Sequence, residues 1–128
     1  MSMESTIRLL ILEDAPVICD ILTDRLVEIF QDRTHNEVTS RLAQFKELAY
    51  NEVFDAVIVD LNVVDANAPE VAAALHDLPT PLQNKVIVHS SESWSKLMGL
   101  GLCKFAIIPK TASRFELKGA LKKVGAVN

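Results

Sequence analysis

The stretch "DAVIVD" at residues 55–60 decides the fold, because an unbroken apolar run ends there at an acid. Four consecutive apolar residues between two aspartates are too few for a helix, so they predict a strand buried on both faces. Strands of this kind occur in parallel sheets whose two faces are covered by helices. The sequence then raises the question of what the carboxylate of Asp60 does at the end of such a strand.

Further strands alternate with helical patterns along the rest of the chain. Short apolar runs predict strands within residues 6–14, 85–90 and 104–110, and a short strand around 37–39 is the weakest prediction. Residues 79–84, "PTPLQN", are interpreted as a connector with two prolines. Apolar residues at helical spacing predict helices over 17–30, 41–53, 69–78, a short stretch within 91–102, and 113–124.

This alternation predicts the class of fold. Strands that alternate with helices require right-handed crossovers and a mainly parallel sheet. With the doubtful strand at 37–39 included, the pattern gives five βα units. We therefore expect a single doubly wound α/β domain over residues 1–128, a flavodoxin-like (βα)5 fold whose five-stranded parallel sheet carries helices on both faces.

Composition and charge exclude several classes of function. Of the 128 residues, 49% are hydrophobic and 23% are charged, a balance typical of a globular domain. A formal net charge of −4 provides no basic field for nucleic acid or an anionic membrane. No apolar stretch approaches the ~20 residues of a membrane span. The two cysteines, Cys19 and Cys103, lack metal-site spacing and favour a reducing, cytoplasmic location.

Polar side chains follow each of the four clear strands. The carboxyl ends of parallel strands share one edge of an open α/β sheet, and ligands bind there. Taken singly, Asp60 or Ser90 is better explained as a turn cap and Lys110 as a solvated surface residue. Their joint position favours a site, in which three acids, a hydroxyl pair and one lysine converge: Glu13, Asp14, Asp60, Ser90, Ser91 and Lys110.

The chemistry of such a cluster is specific. Neighbouring carboxylates repel one another unless a cation neutralises them, and a hard divalent cation such as Mg²⁺ or Mn²⁺ prefers oxygen ligands. One carboxylate can then act as a nucleophile toward a phosphoryl group and form an aspartyl phosphate. Lysine and hydroxyl groups help to neutralise the transferred oxygens. The pattern therefore predicts a magnesium-assisted phosphoryl acceptor.

Over nearly its whole length the chain resembles a receiver domain of the two-component response regulators, in particular the single receiver domains of chemotaxis. The four resembling stretches end in the family's acidic pair, phosphoacceptor, Ser/Thr switch residue and lysine, in that order. They are "LLILEDAP" (9–16), "FDAVIVDLN" (54–62), "KVIVHSS" (85–91) and "AIIPK" (106–110).

The resemblance implies that Asp60 accepts a phosphoryl group from the phosphohistidine of a histidine kinase or phosphotransfer protein. It also implies Mg²⁺ as the cofactor, ligated by Asp14, Asp60 and the backbone carbonyl of Asn62, with Glu13 acting mainly through a metal-bound water. The only catalysis implied is that of the domain's own phosphorylation and dephosphorylation.

The resemblance further implies a switch. Ser90 would hydrogen-bond the phosphoryl group, Lys110 would pair with one of its oxygens, and a face formed by the fourth helix, fifth strand and fifth helix would change its binding to an output protein. Ile107 stands at the usual position of the switch aromatic, so either this role is lost or Phe105, the candidate, fills it from a shifted position.

Two other positions concern the lifetime of the phosphorylated state. Asn62 and Glu92 stand two residues beyond the phosphoacceptor and the switch residue, where receivers tune dephosphorylation, and this pair resembles that of fast-cycling chemotaxis regulators. Two departures affect the surrounding loops. The usual Met-Pro after the phosphoacceptor is missing, and Pro109 precedes Lys110 instead of following it.

Alternative functions stay open at this point. A pseudo-receiver, folded alike but acting as a phosphorylation-independent interaction module, would explain the drift in the loop and the switch aromatic. A small aspartyl-phosphate hydrolase of the haloacid dehalogenase type ranks last, since its nucleophile follows the first strand. The cognate kinase, the output partner and the choice between a stand-alone regulator and a fragment are open, and we expect a monomer or weak homodimer.

Overall fold

The computed structural model of the chain describes residues 6–127. Its strands are β1 (Ile7–Leu12), β2 (Thr34–Thr39), β3 (Ala56–Val59), β4 (Val86–His89) and β5 (Ala106–Ile108). Its helices are α1 (Pro16–Phe30), α2 (Leu42–Asn51), α3 (Ala68–His76), α4 (Thr80–Gln83), α5 (Trp94–Gly99) and α6 (Arg114–Lys123), and a 3₁₀ turn spans Leu102–Lys104.

The five strands form one parallel sheet in the order β2-β1-β3-β4-β5. This is the flavodoxin-like order, so the predicted doubly wound α/β fold is confirmed. Successive strand residues face opposite sides of the sheet. In β3, Ala56 and Ile58 pack with α1 and α6, whereas Val57 and Val59 pack with α2, α3 and α5. Helices therefore cover both faces, as an apolar strand run requires.

The second strand is real and longer than the sequence indicated. Only residues around 37–39 were expected to be extended, yet β2 covers Thr34–Thr39 and pairs in register with the whole of β1. Because β2 is an edge strand, Val38 is 43% exposed and Thr39 alone is buried. A strand with so little buried surface needs no apolar run, which explains its weak signal.

Two other predictions differ in detail. The predicted connector at 79–84 contains the single turn α4, whose Gln83 side chain donates to the carbonyl oxygens of His76 and Leu78 at 2.9 and 2.6 Å. The last strand starts at Ala106 instead of residue 104, because the Phe105 N–H closes the 3₁₀ turn on the Leu102 carbonyl at 3.0 Å. Among residues 6–127, no helix has the length and apolar character needed to cross a membrane.

Candidate functional site

The register of the sheet brings the predicted site residues to one edge. Leu12 of β1 is paired with Val59 of β3, and the Asp60 N–H donates to the Leu12 carbonyl at 2.8 Å. The residues that follow the two strands, Glu13 and Asp60, therefore emerge side by side. On the other side of β3, the Ser90 N–H after β4 donates to the Ile108 carbonyl of β5 at 3.1 Å.

Three acids form what we call the carboxylate cluster: Glu13, Asp14 and Asp60. One carboxylate oxygen of each lies within 4.8 Å of the others. Glu13 and Asp60 are buried, with 4% and 7% of their surface exposed, while Asp14 is open to solvent. Two buried carboxylates and one exposed carboxylate thus define a site that is reached from outside.

Lys110 is the cation that joins this cluster. Its Nζ lies 2.5 Å from Glu13 Oε1 and 3.2 Å from Asp60 Oδ1, and 18% of its side chain is exposed. With all three carboxylates ionised, the cluster and this one ammonium group would carry a net charge of −2. That excess equals the charge of one divalent cation.

The environment of Asp60 disfavours its charge. Burial raises the pKa of Asp60, Lys110 lowers it and Glu13 raises it again, so that the net direction is upward. The ammonium group therefore does not fully compensate for desolvation and repulsion. The donors of the cluster are all hard oxygens, and one of the carboxylates reaches solvent, which fits the ligand preference of Mg²⁺. The residues present thus suit the predicted metal.

The other side of the site is formed by Ser90, Asn62 and Glu92. Ser90 is 5% exposed, and its Oγ accepts the Glu92 N–H at 2.9 Å, so it also acts as the local cap considered above. The Asn62 side chain donates to Glu92 Oε1 at 3.2 Å, and Lys96 approaches the same oxygen at 3.3 Å. The two predicted tuning residues are therefore in direct contact.

The loop after Asp60 is held without a Met-Pro pair. The Asn62 N–H donates to Asp60 Oδ1 at 3.3 Å, and farther along Asp65 accepts the backbone N–H groups of Leu42 and Ala43 at 2.6 and 3.2 Å. These hydrogen bonds cap α2 and lower the pKa of Asp65, the Leu42 N–H contributing most. This role of Asp65 could not be predicted, because no local pattern relates Asp65 to a helix that begins 23 residues earlier.

Phe105 does not lie where the sequence placed it. It precedes β5 instead of belonging to it, and only 7% of its surface is exposed. Its ring centroid is 5.7 Å from that of His76, and the Lys104 ammonium lies 5.2 Å above the ring. Neither neighbour belongs to the carboxylate cluster. The assignment of Phe105 as a switch aromatic stays a prediction.

His89 is a site residue that the sequence analysis did not identify. It is the last residue of β4, 4% exposed, with Nδ1 3.9 Å from Glu13 Oε1. Burial, with a further contribution from Lys110, lowers the pKa of His89 to about 4. The imidazole is therefore neutral at pH 7. A polar residue that ends the otherwise apolar run "VIVH" was the available signal.

Neither a family model nor a curated protein matches the sequence. Solved structures do match. The receiver domain of a sensor histidine kinase from Pseudomonas aeruginosa, which has a magnesium ion coordinated in its active-site cleft, is 15% identical with a TM-score of 0.76. The alignment covers 94% of this chain and 99% of that one.

Two other receiver structures agree with this likeness. A CheY-like response regulator receiver domain from Methylobacillus flagellatus is 19% identical with a TM-score of 0.75, over 94% of this chain and 99% of that one. The chemotaxis protein CheY4 of Vibrio cholerae is 17% identical with a TM-score of 0.70, over the same shares of the two chains. The chain therefore has the fold of response regulator receiver domains.

Proposed function

We propose that residues 1–128 act as a receiver domain that accepts a phosphoryl group on Asp60 in a Mg²⁺-dependent reaction. The observation that carries this proposal is the environment of Asp60 at the carboxyl end of β3. It lies within 4.8 Å of two further carboxylates and 3.2 Å from Lys110. An acid placed there solely to cap a turn would not need two more acids and a shared lysine.

The proposed step transfers a phosphoryl group from a histidine nitrogen to an oxygen of Asp60. An Asp60 carboxylate oxygen attacks the phosphorus of a phosphohistidine on a kinase or phosphotransfer protein, forming a P–O bond while the P–N bond breaks. The leaving imidazole keeps the electron pair and takes a proton. Hydrolysis later returns the carboxylate and releases inorganic phosphate. A carboxylate nucleophile of this kind splits phosphate transfer into two easier steps.

The chain's own residues would position and neutralise the transferred group. Lys110 would pair with a phosphoryl oxygen, and the Ser90 hydroxyl would donate to another after leaving the Glu92 N–H. The metal would be held by Asp14, Asp60 and the Asn62 carbonyl, with Glu13 behind them. When bound, Mg²⁺ supplies positive charge that offsets the negative charge of the carboxylates and the phosphoryl oxygens.

The decisive experiment adds Mg²⁺ with beryllofluoride, a phosphoryl mimic, or with acetyl phosphate, a small donor. Trp94 is the only tryptophan and begins α5, two residues after Glu92, so its fluorescence should respond. We expect a saturable, Mg²⁺-dependent change in the wild type and none in Asp60→Asn. Intact mass after acetyl phosphate should rise by one phosphoryl group in the wild type alone.

A matched control tests whether the response depends on Asp60 itself and not on the loss of any aspartate. Asp55→Asn removes an aspartate from the opposite end of the same strand and should leave the response unchanged. An absent response in the wild type, or an equal response in Asp60→Asn, would contradict the proposal.

The contact between Asn62 and Glu92 supports a short lifetime of the phosphorylated state. A polar group beside the phosphoacceptor can orient the attacking water, and positioned groups of this kind contribute substantially to rate. We expect Asn62→Ala to slow release of phosphate by about tenfold, measured by single-turnover hydrolysis with a phosphate sensor. A wild-type phosphorylated form as long-lived as that of Asn62→Ala would contradict this role.

A phosphorylation-independent interaction module is the second candidate. The observation that favours it is the position of Phe105, packed against His76 before β5 begins. An aromatic ring held there is poorly placed to follow events at Asp60. If beryllofluoride binds at Asp60 but leaves the NMR signals of β5 and α6 unchanged, the site would be intact and the switch lost.

A further inference from the structure

His89 occupies a position where the fold calls for an apolar side chain. Side chains alternate along a strand, so His89 faces the same side of the sheet as Ile87. Ile87 belongs to the apolar layer formed with α1 and α6. His89 also lines a small cavity in that layer with Leu22 of α1 and Leu117 of α6, and the charged side chains of Arg25 and Lys110 line it as well. An imidazole buried among such neighbours needs a polar partner.

Arg25 and Lys110 can only donate hydrogen bonds, so the acceptor for an imidazole N–H is the carboxylate of Glu13, which lies within 4 Å of the ring. His89 Nδ1 lies 3.9 Å from Glu13 Oε1, which is close but longer than a hydrogen bond. A carboxylate only accepts hydrogen bonds, so the tautomer that suits this contact carries its proton on Nδ1. A small movement would convert the contact into a hydrogen bond.

Glu13 has a particular need for a second donor. Its side chain is 1% exposed; Oε2 accepts the Ala15 N–H at 3.2 Å, and Oε1 is held by Lys110 at 2.5 Å. Under the proposed function, Lys110 also has to pair with a phosphoryl oxygen. Glu13 Oε1 would then lose its direct ammonium partner while remaining buried, and a bound Mg²⁺ would reach it only through water. A buried carboxylate oxygen without a direct donor is disfavoured.

We propose that His89 is a positioning residue that donates from Nδ1 to Glu13 Oε1 and holds this carboxylate in place as Lys110 turns to the phosphoryl group. In the resting state, Lys110 holds Glu13 Oε1, and His89 Nδ1 lies 3.9 Å from the same oxygen. In the phosphorylated state, His89 becomes its donor. The inference rests on the proposed function for the second state, whereas the resting contact stands without it.

Three substitutions test which imidazole nitrogen matters. Asn can place its amide nitrogen near the position of Nδ1, Gln reaches the position of Nε2, and Val removes the polar group. We expect His89→Val and His89→Gln to weaken binding of beryllofluoride in Mg²⁺ about tenfold, and His89→Asn to stay within about threefold of the wild type. The affinity for Mg²⁺ alone should change less, because Lys110 still holds Glu13 in that state. Both affinities should be measurable by Trp94 fluorescence.

A readout in the metal-free protein tests the resting contact. The ¹³C resonance of the Glu13 carboxylate should shift in His89→Val and return toward its wild-type value in His89→Asn. The matched control is His35→Val, which removes the other histidine that pairs with a glutamate, exposed on β2 and 3.0 Å from Glu37. This variant should alter neither the Glu13 resonance nor either affinity.

The outcomes separate the two proposals. Wild-type beryllofluoride affinity in both His89→Val and His89→Gln would overturn the positioning role. If the wild type itself does not bind beryllofluoride, the proposed function fails. The Glu13 resonance then decides about His89: a shift in His89→Val that His89→Asn reverses supports the contact, and unchanged resonances overturn it. Should His89→Val not fold, the comparison of Asn with Gln still decides.

Discussion

At the amino end of the sheet, Arg8 pairs with Glu52 at 2.5 Å, and the Arg8 backbone N–H donates to the Asp55 carboxylate at 2.8 Å. The Arg8 and Glu52 side chains are 35% and 37% exposed. At the carboxyl end, the Glu13 and Asp60 side chains are only 1% and 10% exposed and share one lysine.

The difference lies in burial and charge balance, because each end combines one basic side chain with glutamate and aspartate. Water screens the pair at the amino end, and such exposed pairs add little to stability. At the carboxyl end, burial raises the pKa of Asp60, Glu13 raises it further, and Lys110 offsets these effects only in part. Groups disfavoured in this way are typical of functional sites, where local rules of stability give way to chemistry. The substitutions below test whether this contrast is real.

The largest change in the free energy of unfolding is expected from Lys110→Met. This change leaves Glu13 and Asp60 buried without their cation, and breaking a buried pair from one side costs about 3 kcal/mol. Urea unfolding at pH 7 in EDTA measures the loss. Arg8→Met is the matched control at the amino end and should cost no more than about 1 kcal/mol. Equal losses in the two variants would remove the contrast between the ends.

Burial also explains why some strands could be predicted from the sequence more easily than others. β1, β3 and β4 are largely buried on both faces, so apolar runs identify them. The rule that ligands bind at the carboxyl ends of parallel strands then brings Glu13 after β1 and Asp60 after β3 together with Lys110 after β5. β2 lies at the edge with Val38 exposed, so it has no such run. An apolar sequence pattern therefore identifies a fully buried strand well and a partly exposed strand poorly.

Contacts between distant segments could not be predicted in this way. The approach of His89 to Glu13 and the capping of α2 by Asp65 depend on tertiary distances that no local spacing encodes. The position of Phe105 was missed because a 3₁₀ turn, fixed by one backbone hydrogen bond, shortens β5. The sequence predicts which residues reach one edge of the sheet, but not which side chains contact each other there.

The second largest change in the free energy of unfolding is expected when the pH is lowered. The pKa of His89 is about 4 in the folded chain, below its ordinary value of 6.5. Between these values the unfolded chain binds the proton and the folded chain does not, so the free energy of unfolding falls as pH drops from 6.5 toward 4. We expect a loss of about 2 kcal/mol across this window, fully regained above it. Urea titrations at several pH values measure it, and His89→Asn should flatten the slope.

A smaller effect, of opposite sign, is expected from Asp60→Asn without metal. Because burial raises the pKa of Asp60, its charged form is disfavoured in the folded state, and a neutral amide should raise the free energy of unfolding at pH 7, by less than Lys110→Met lowers it. The gain should shrink as pH falls through the folded-state pKa, where Asp60 itself becomes neutral. Mg²⁺ should reverse the order by binding the folded wild type more tightly. Thermal unfolding in EDTA and in Mg²⁺ measures both, and equal stabilities in EDTA would contradict the raised pKa.

The smallest effect is expected at the amino end, from a double-mutant cycle of Arg8→Met and Glu52→Gln. The pair is more than one-third exposed, so the coupling energy should be about 0.5 kcal/mol and should fall further at 1 M salt. Arg8 also lies 5.0 Å over the Phe54 ring and donates to the Val53 carbonyl, so the single change can cost more than the coupling. The cycle isolates the ion pair from these contacts, because they are lost equally with and without Glu52. A coupling of 2 kcal/mol or more would mean that this end is also electrostatically strained, and buried excess charge would no longer distinguish the site.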